Sequence, residues 1–256
     1  MHLFRNHHRA EQRARPTPAE WPAILTRNVA YYRRLPEADR VELFGHMQVF
    51  LAEKHFEGCG GLVLTDEMKI TIAGEACLLL LHRDTDYYPH LESILVYPSA
   101  YIVRSSSRLP GGLISDDSEV RLGESWQSGA LVLSWDSVLG ATGPGHNVVL
   151  HEFAHQLDLD DGAANGAPGL PRRSMYTTWA SVLGGEYEHL VNASEHHRQT
   201  MIDTYGAKNP AEFFAVVTEA FFEKSHELRQ KHHALYEQLQ LYYQQDPASL
   251  APTTSD

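Results

Sequence analysis

Between Pro36 and about residue 56, apolar residues recur at Val41, Phe44, Met47 and Leu51, with Leu43 and Phe50 beside them. That spacing predicts a long helix, which Gly58-Cys59-Gly60-Gly61 breaks. A second helix, capped by Thr65 or Asp66, is expected through Ile72 to Leu81. Upstream, Thr17-Pro18-Ala19-Glu20 reads as a helix start, with Pro18 at the first helical position and Glu20 closing a capping box. The middle of the chain has a different texture. SILVYP (93–98), AYIVRS (100–105) and GALVLSW (129–135) are short and rich in β-branched or aromatic residues. Turn signals lie at Pro110-Gly111-Gly112, Asp116-Asp117 and Ser128-Gly129. Residues 93–135 are therefore expected to form a small, mostly antiparallel sheet.

Gly143-Pro144-Gly145 leads into NVVLHEFAHQLD (147–158), and a long loop follows over 159–171. From about Met175 to Gln245 the pattern is helical, interrupted near Tyr205-Gly206. DPASLAPTTSD at the end reads as disordered. The expected organisation is one domain over 1–244 and a disordered tail over 245–256.

Composition narrows the class. The chain has 256 residues, 43% of them hydrophobic, which suits a soluble globular protein. Its formal net charge of −12 argues against nucleic acid as a direct partner. Arg5, Arg9, Arg13 and Arg15, with His7 and His8, are a local exception and read as a solvated tail. Cys59 and Cys77 are the two cysteines, too few for a disulfide framework and consistent with a reducing compartment. The first residues contain no apolar signal segment. Runs such as ACLLLL (76–81) are too short to span a bilayer. A cytoplasmic protein without a membrane partner is the expectation.

The chemistry concentrates in HEFAH. His151 and His155 are four apart, so on a helix they share one face. Val148, Leu150, Phe153, Ala154 and Leu157 supply the surface that docks such a helix in a core. Two imidazoles one turn apart can hold one Zn²⁺ per chain, and Glu152 stands where the HExxH pattern places a general base. With 16 histidines in the chain the bare pattern is moderate evidence, but two unpaired histidines and a glutamate in an apolar helix are costly unless they share a metal. The fold class expected is α+β and zincin-like, with HExxH on an active-site helix.

Zinc needs a third protein ligand. Asp158 and Asp161 occupy the positions where a metzincin carries glycine and its third histidine, which excludes that class. A calcium loop beginning at Asp158 fails because Gly169 stands where a bidentate acid is required. The candidates lie in YGAKNPAEFFAVVTEAFFE (205–223). Asn209 and Pro210 suit a helix start, and Glu212 falls in its first turn. Glu219 lies seven residues on, on the same face, among Phe213, Phe214, Val216, Val217, Phe221 and Phe222.

HEFAHQLD followed by Tyr205 and PAEFFAVVTEAFFE resembles the Mlc titration factor A family of zinc peptidases. The likeness extends to WPAIL and LPEADRVELF. The HEF-x-H, Tyr and Glu pattern is also similar to the catalytic domain of anthrax lethal factor. The resemblance implies that His151, His155 and Glu212 are zinc ligands, Glu152 the general base and Tyr205 an electrophilic partner that donates to the oxyanion. It implies aminopeptidase-like activity on a peptide or protein substrate, and binding of the glucose-uptake repressor Mlc. Val216, four residues after Glu212, departs from the wider glutamate-zincin pattern, which has an aspartate there. Asp158 or Glu219 is left to orient a ligand histidine. A strand of the 93–135 sheet, with GALVLSW one candidate, is expected to bind substrate by edge addition, and the sequence does not single out which. The alternative is a non-catalytic protein that sequesters the repressor around a structural or vestigial zinc. No fourth protein ligand is evident for such a closed site.

Overall fold

The computed structural model describes residues 2–99, 101–108, 114–121, 123–126, 129–140 and 145–250. Helices dominate it. Helix α1 (His2–Arg13) is followed by α2 (Trp21–Asn28), α3 (Glu37–Glu53) and α4 (Asp66–Leu78). The strands are β1 (His55–Gly58), β2 (Ser93–Tyr97), β3 (Tyr101–Arg108), β4 (Ile114–Arg121), β5 (Gly123–Trp126) and β6 (Ala130–Ser134). The short α5 (Trp135–Val138) leads to α6 (Val148–Asp158), α7 (Met175–Glu195), α8 (Pro210–Glu223), α9 (Ser225–Lys231) and α10 (His233–Tyr243). Among the described residues, no helix is long and apolar enough to cross a membrane.

The expected sheet is corrected. In place of a mostly antiparallel, zincin-like α+β sheet over 93–135, a small mixed sheet runs in the order β1-β2-β6-β5 within a mostly helical chain. β1, β2 and β6 are parallel, and β5 alone is antiparallel to its neighbour. The reason lies between β2 and β6. There β3 and β4 pair with each other as a separate antiparallel ribbon, so β6 re-enters the sheet in the direction of β2. Asp116-Asp117, expected as a turn, pair with Ser106 and Ser105 inside that ribbon. Pro110-Gly111-Gly112, Ser128 and 141–144 lie outside the described residues. β6 has a neighbour on both sides and is buried over Leu131–Leu133, which explains its unbroken apolar run.

The helices in the first half follow their patterns closely. Thr65 caps α4, its hydroxyl accepting from the Met68 amide at 3.3 Å. The helix foreseen at Thr17 begins later, at Trp21. Pro18 instead heads a turn that the Trp21 amide closes, and Pro22 occupies the first turn of α2.

The N-terminal stretch is not a solvated tail. Arg5, Arg9 and Arg13 repeat every fourth residue and so share one face of α1. Arg9 is buried and pairs with Glu53 and Asp86, while Arg13 donates to the Tyr87 hydroxyl at 2.7 Å. Residues 245–250, assigned to the expected tail, are packed against the domain. Gln245 donates to the Leu78 carbonyl at 2.8 Å and Ala248 is buried. Residues 251–256 lie outside the described residues.

The core that carries the site is aromatic. Phe153 of α6 meets Tyr88 edge-on at 4.8 Å and lies 5.7 Å from Phe50 of α3. Phe213, Phe214, Phe221 and Phe222 of α8 are all buried. Phe222 meets Tyr31, and Phe221 stacks on Tyr243 of α10. These rings dock α6 and α8 against each other with their polar residues caught between them.

Candidate metal centre

α6 begins at Asn147, whose side-chain oxygen accepts from the Leu150 amide at 3.0 Å. One face of the helix carries Val149, Leu150, Phe153 and Ala154 into the core. The opposite face turns His151 and His155 towards α8, their ring centroids 4.9 Å apart. α8 begins at Pro210, and Asn209 caps it by accepting from the Glu212 amide at 2.9 Å. That cap fixes the first turn, which delivers Glu212 to the two imidazoles.

Three donor atoms converge. His151 Nε2 lies 3.1 Å from Glu212 Oε2, His155 Nε2 lies 3.3 Å from the same oxygen, and the two Nε2 atoms are 3.2 Å apart. This is the one such trio of possible metal ligands among the described residues. A tetrahedral zinc with bonds of about 2.0–2.1 Å needs ligand atoms about 3.3–3.4 Å apart. Two nitrogens and one oxygen therefore form a triangular face of the right size and donor chemistry.

The other nitrogen of His151 has its own partner. Nδ1 lies 2.7 Å from Glu219 Oε1. An ionised carboxylate only accepts, so Nδ1 is the donor and Nε2 is the nitrogen turned to the trio. Glu219 thus sits behind the ring while Glu212 sits in front of it, although both lie on one face of α8. Burial opposes charge on His151, but its hydrogen bonds to Glu212 and Glu219 outweigh that and push its pKa up to about 10. Burial likewise opposes charge on Glu212. The bonds from both histidines prevail and hold its carboxyl well below the usual range.

Glu152, next to His151, is 6% exposed, and its charge adds to the field on that imidazole. Tyr205 sits on a 3-10 turn over Thr204–Lys208, which Asp203 caps by accepting from the Tyr205 amide at 2.8 Å. Its ring centroid is 6.0 Å from that of His151, and its hydroxyl is 3.5 Å from Glu212 Oε1. At 47% exposed, the phenol stands at the open side of the trio. The structure thus brings His151, His155, Glu212, Glu152 and Tyr205 into one neighbourhood. Asp158, the last residue of α6, accepts at Oδ2 from the Gly166 amide at 2.8 Å.

The profile of the glucose-regulated metallo-peptidase M90 family matches residues 4–244. The chain belongs to that family. It is 46% identical to an uncharacterized protein of Synechocystis over 91% of this chain and 86% of that protein. It is 31% identical to the Mlc titration factor A of Serratia proteamaculans over 90% of this chain and 88% of that protein. The Mlc titration factor A of Yersinia pestis is 30% identical, with 90% and 85% covered. Membership in M90 implies a metal ion, and the His-His-Glu trio has the donors to hold one.

In this M90 member the metal face is supported by residues that sequence reasoning passed over. Asn147, Glu75 and Glu223 surround the start of α6. Gly166 supports its far end. Gly166 is held by Asp158 at its amide and by Trp179, whose indole donates to its carbonyl at 3.1 Å. It has φ +76°, and a Cβ there would fall 2.4 Å from the Pro210 carbonyl oxygen. Since Pro210 opens α8, Gly166 sets where Glu212 begins. An asparagine directly before an apolar run is a helix-cap signal that could have found Asn147. Nothing local pointed to Gly166.

Gly162 supplies an internal control, with φ +96° and nothing within 4 Å of the place a Cβ would take. Gly162→Ala should cost about 1–2 kcal/mol, the left-handed backbone penalty alone. Gly166→Ala should cost more, because the methyl also displaces backbone at Pro210, and should weaken metal binding. Denaturant unfolding and metal titration of both variants check this. Equal losses of stability and unchanged metal affinity would mean that Pro210 moves aside freely.

Proposed function

We propose that this chain is a zinc-dependent peptidase with its active site in the 1–244 domain. The observation that supports the reading best is the triangle of His151 Nε2, His155 Nε2 and Glu212 Oε2, with sides of 3.1–3.3 Å. These three residues are the proposed zinc ligands, one ion per chain. When bound, zinc would act there as a Lewis acid that polarises a peptide carbonyl and acidifies water.

The rest of the chemistry falls to the chain itself. Glu152 takes the proton of the attacking water and passes it to the leaving amine. Its burial beside His151 keeps bulk water from competing for that proton. The Tyr205 phenol donates to the oxygen on which charge develops. Its exposure at the rim suits a group that must reach an incoming substrate. Glu219 holds the His151 ring in one tautomer and orientation. The candidate strand GALVLSW is β6, and both its edges are already paired. β5 is the edge strand that packs against α6, and it is the better candidate to receive a peptide backbone.

The roles separate by experiment. His155→Ala should lose about one equivalent of zinc per chain. Glu152→Gln should keep its zinc and lose peptide hydrolysis by several powers of ten. Metal loss in Glu152→Gln, or full metal retention in His155→Ala, would overturn the assignment.

Tyr205→Phe removes only the hydroxyl. Its kcat should fall by roughly ten- to a thousandfold with KM little changed. Wild-type turnover would reduce Tyr205 to a packing residue.

Two finer points complete the reading. Cleavage is proposed to be of the aminopeptidase type, as the family resemblance implies. Binding of a repressor of the Mlc type is proposed from the name carried by the 30–31% identical relatives. One sample set tests both: hydrolysis of a free and an N-acetylated peptide, and co-precipitation of purified Mlc, each with metal-loaded and metal-stripped protein. Equal cleavage of the two peptides argues for endopeptidase action, and absence of co-precipitation removes the partner.

A further inference from the structure

Besides the helical bond that its carbonyl accepts from the His151 amide, Asn147 makes four hydrogen bonds where α6 begins. Its side-chain oxygen accepts from the Leu150 amide at 3.0 Å, which is the cap. Its backbone amide donates to Glu219 Oε2 at 2.6 Å. Its side-chain nitrogen donates to Glu75 Oε1 at 3.0 Å and to Glu223 Oε1 at 3.3 Å. One residue thus joins α6 to Glu75 on α4 and to Glu219 and Glu223 on α8.

Capping alone does not call for asparagine. Serine, threonine and aspartate cap as well, each through a side-chain oxygen. Asparagine adds two N–H donors, and both are used here on carboxylates. Glu75 is 4% exposed, and its second oxygen has no hydrogen-bond partner among the described residues. Burial pushes its carboxyl up to about 8, against the pull of the Asn147 amide. Burial also raises the Glu223 carboxyl, with the Asn147 bond opposing and the charge of Glu219 adding to the rise. Three carboxyl groups this close, Glu75 and Glu219 buried and Glu223 half-buried, need a donor between them, and an aspartate cap would add a fourth.

The consequence reaches the metal face through Glu219. That carboxylate has one oxygen on the Asn147 amide and the other on His151 Nδ1. Its orientation is therefore set by the position of the Asn147 backbone. That backbone is anchored in turn by the side-chain bonds to Glu75 and Glu223.

We propose that Asn147, anchored on Glu75 and Glu223, is a positioning residue that aims Glu219, and through it the His151 ring, at the metal site. The proposal rests on His151 being a ligand in the zinc centre described above. Asn147 touches no reacting atom. It acts through two other side chains, and its effect differs from that of a helix cap.

Asn147→Ser and Asn147→Asp separate the two roles, because both keep a capping oxygen and both lose the amide donors. The first readout needs no metal. In metal-free, full-length protein, the His151 Nδ1–H should give a downfield proton resonance because of its short bond to Glu219. That resonance should shift upfield or vanish in both variants. The second readout is zinc affinity by chelator competition, expected to fall about ten- to a hundredfold in both. In a Glu219→Gln background, Asn147→Ser should add little further loss, since the two act in series. Should Asn147→Asp fail to fold, Asn147→Ser decides. A wild-type resonance and wild-type zinc affinity in Asn147→Ser would overturn the proposal and leave Asn147 a cap. Failure of the zinc reading shows separately, as a wild-type protein that binds no zinc or binds it equally after His155→Ala. The metal-free resonance still judges the link from Asn147 to His151 in that case.

Discussion

A carboxylate taken out of water must have partners for its oxygens, or the fold loses several kcal/mol or the group its charge. Glu219 meets that demand with two bonds, one to the Asn147 amide and one to His151. α8 is apolar nearly all round, so it packs inward on every side and carries Glu219 with it. The bond to His151 then determines which imidazole nitrogen faces Glu212. The bond to Asn147 determines where α6 starts. Much of the donor geometry follows from satisfying this one buried charge.

The front of the site was legible because its signals are local. Four-residue spacing puts His151 and His155 on one face, and Asn209-Pro210 announces the helix that brings Glu212. The back was not legible, because its partners are remote. Asn147 finds Glu75 and Glu219 each 72 positions away. In the sequence Glu75 looks like a polar interruption in a buried apolar run. Glu219 stood beside Asp158 as a candidate to orient a ligand histidine, but the seven-residue spacing from Glu212 did not say which histidine or which nitrogen it would take.

The fold divides in the same way. Helices α3 and α4 carry their periodicity and cap within themselves. Strand direction does not reside in any one strand: β2 and β6 become parallel only because β3 and β4 pair with each other and leave the sheet. β1 is four residues long, with alternating exposure, and precedes a glycine-rich break, so it carries little signal. The basic N-terminal stretch looked like a tail because its acidic partners, Glu53 and Asp86, lie 44 and 77 residues beyond Arg9.

Gly166 has a meaning beyond steric fit. It links the end of α6, through Asp158, to the start of α8, at Pro210. Asn147 links the start of α6 to the later turns of α8. The two helices therefore meet through close backbone packing at one end and through hydrogen bonds at the other. The donor triangle is thus tied to the integrity of both helices, and local opening of either is expected to weaken all three ligands together.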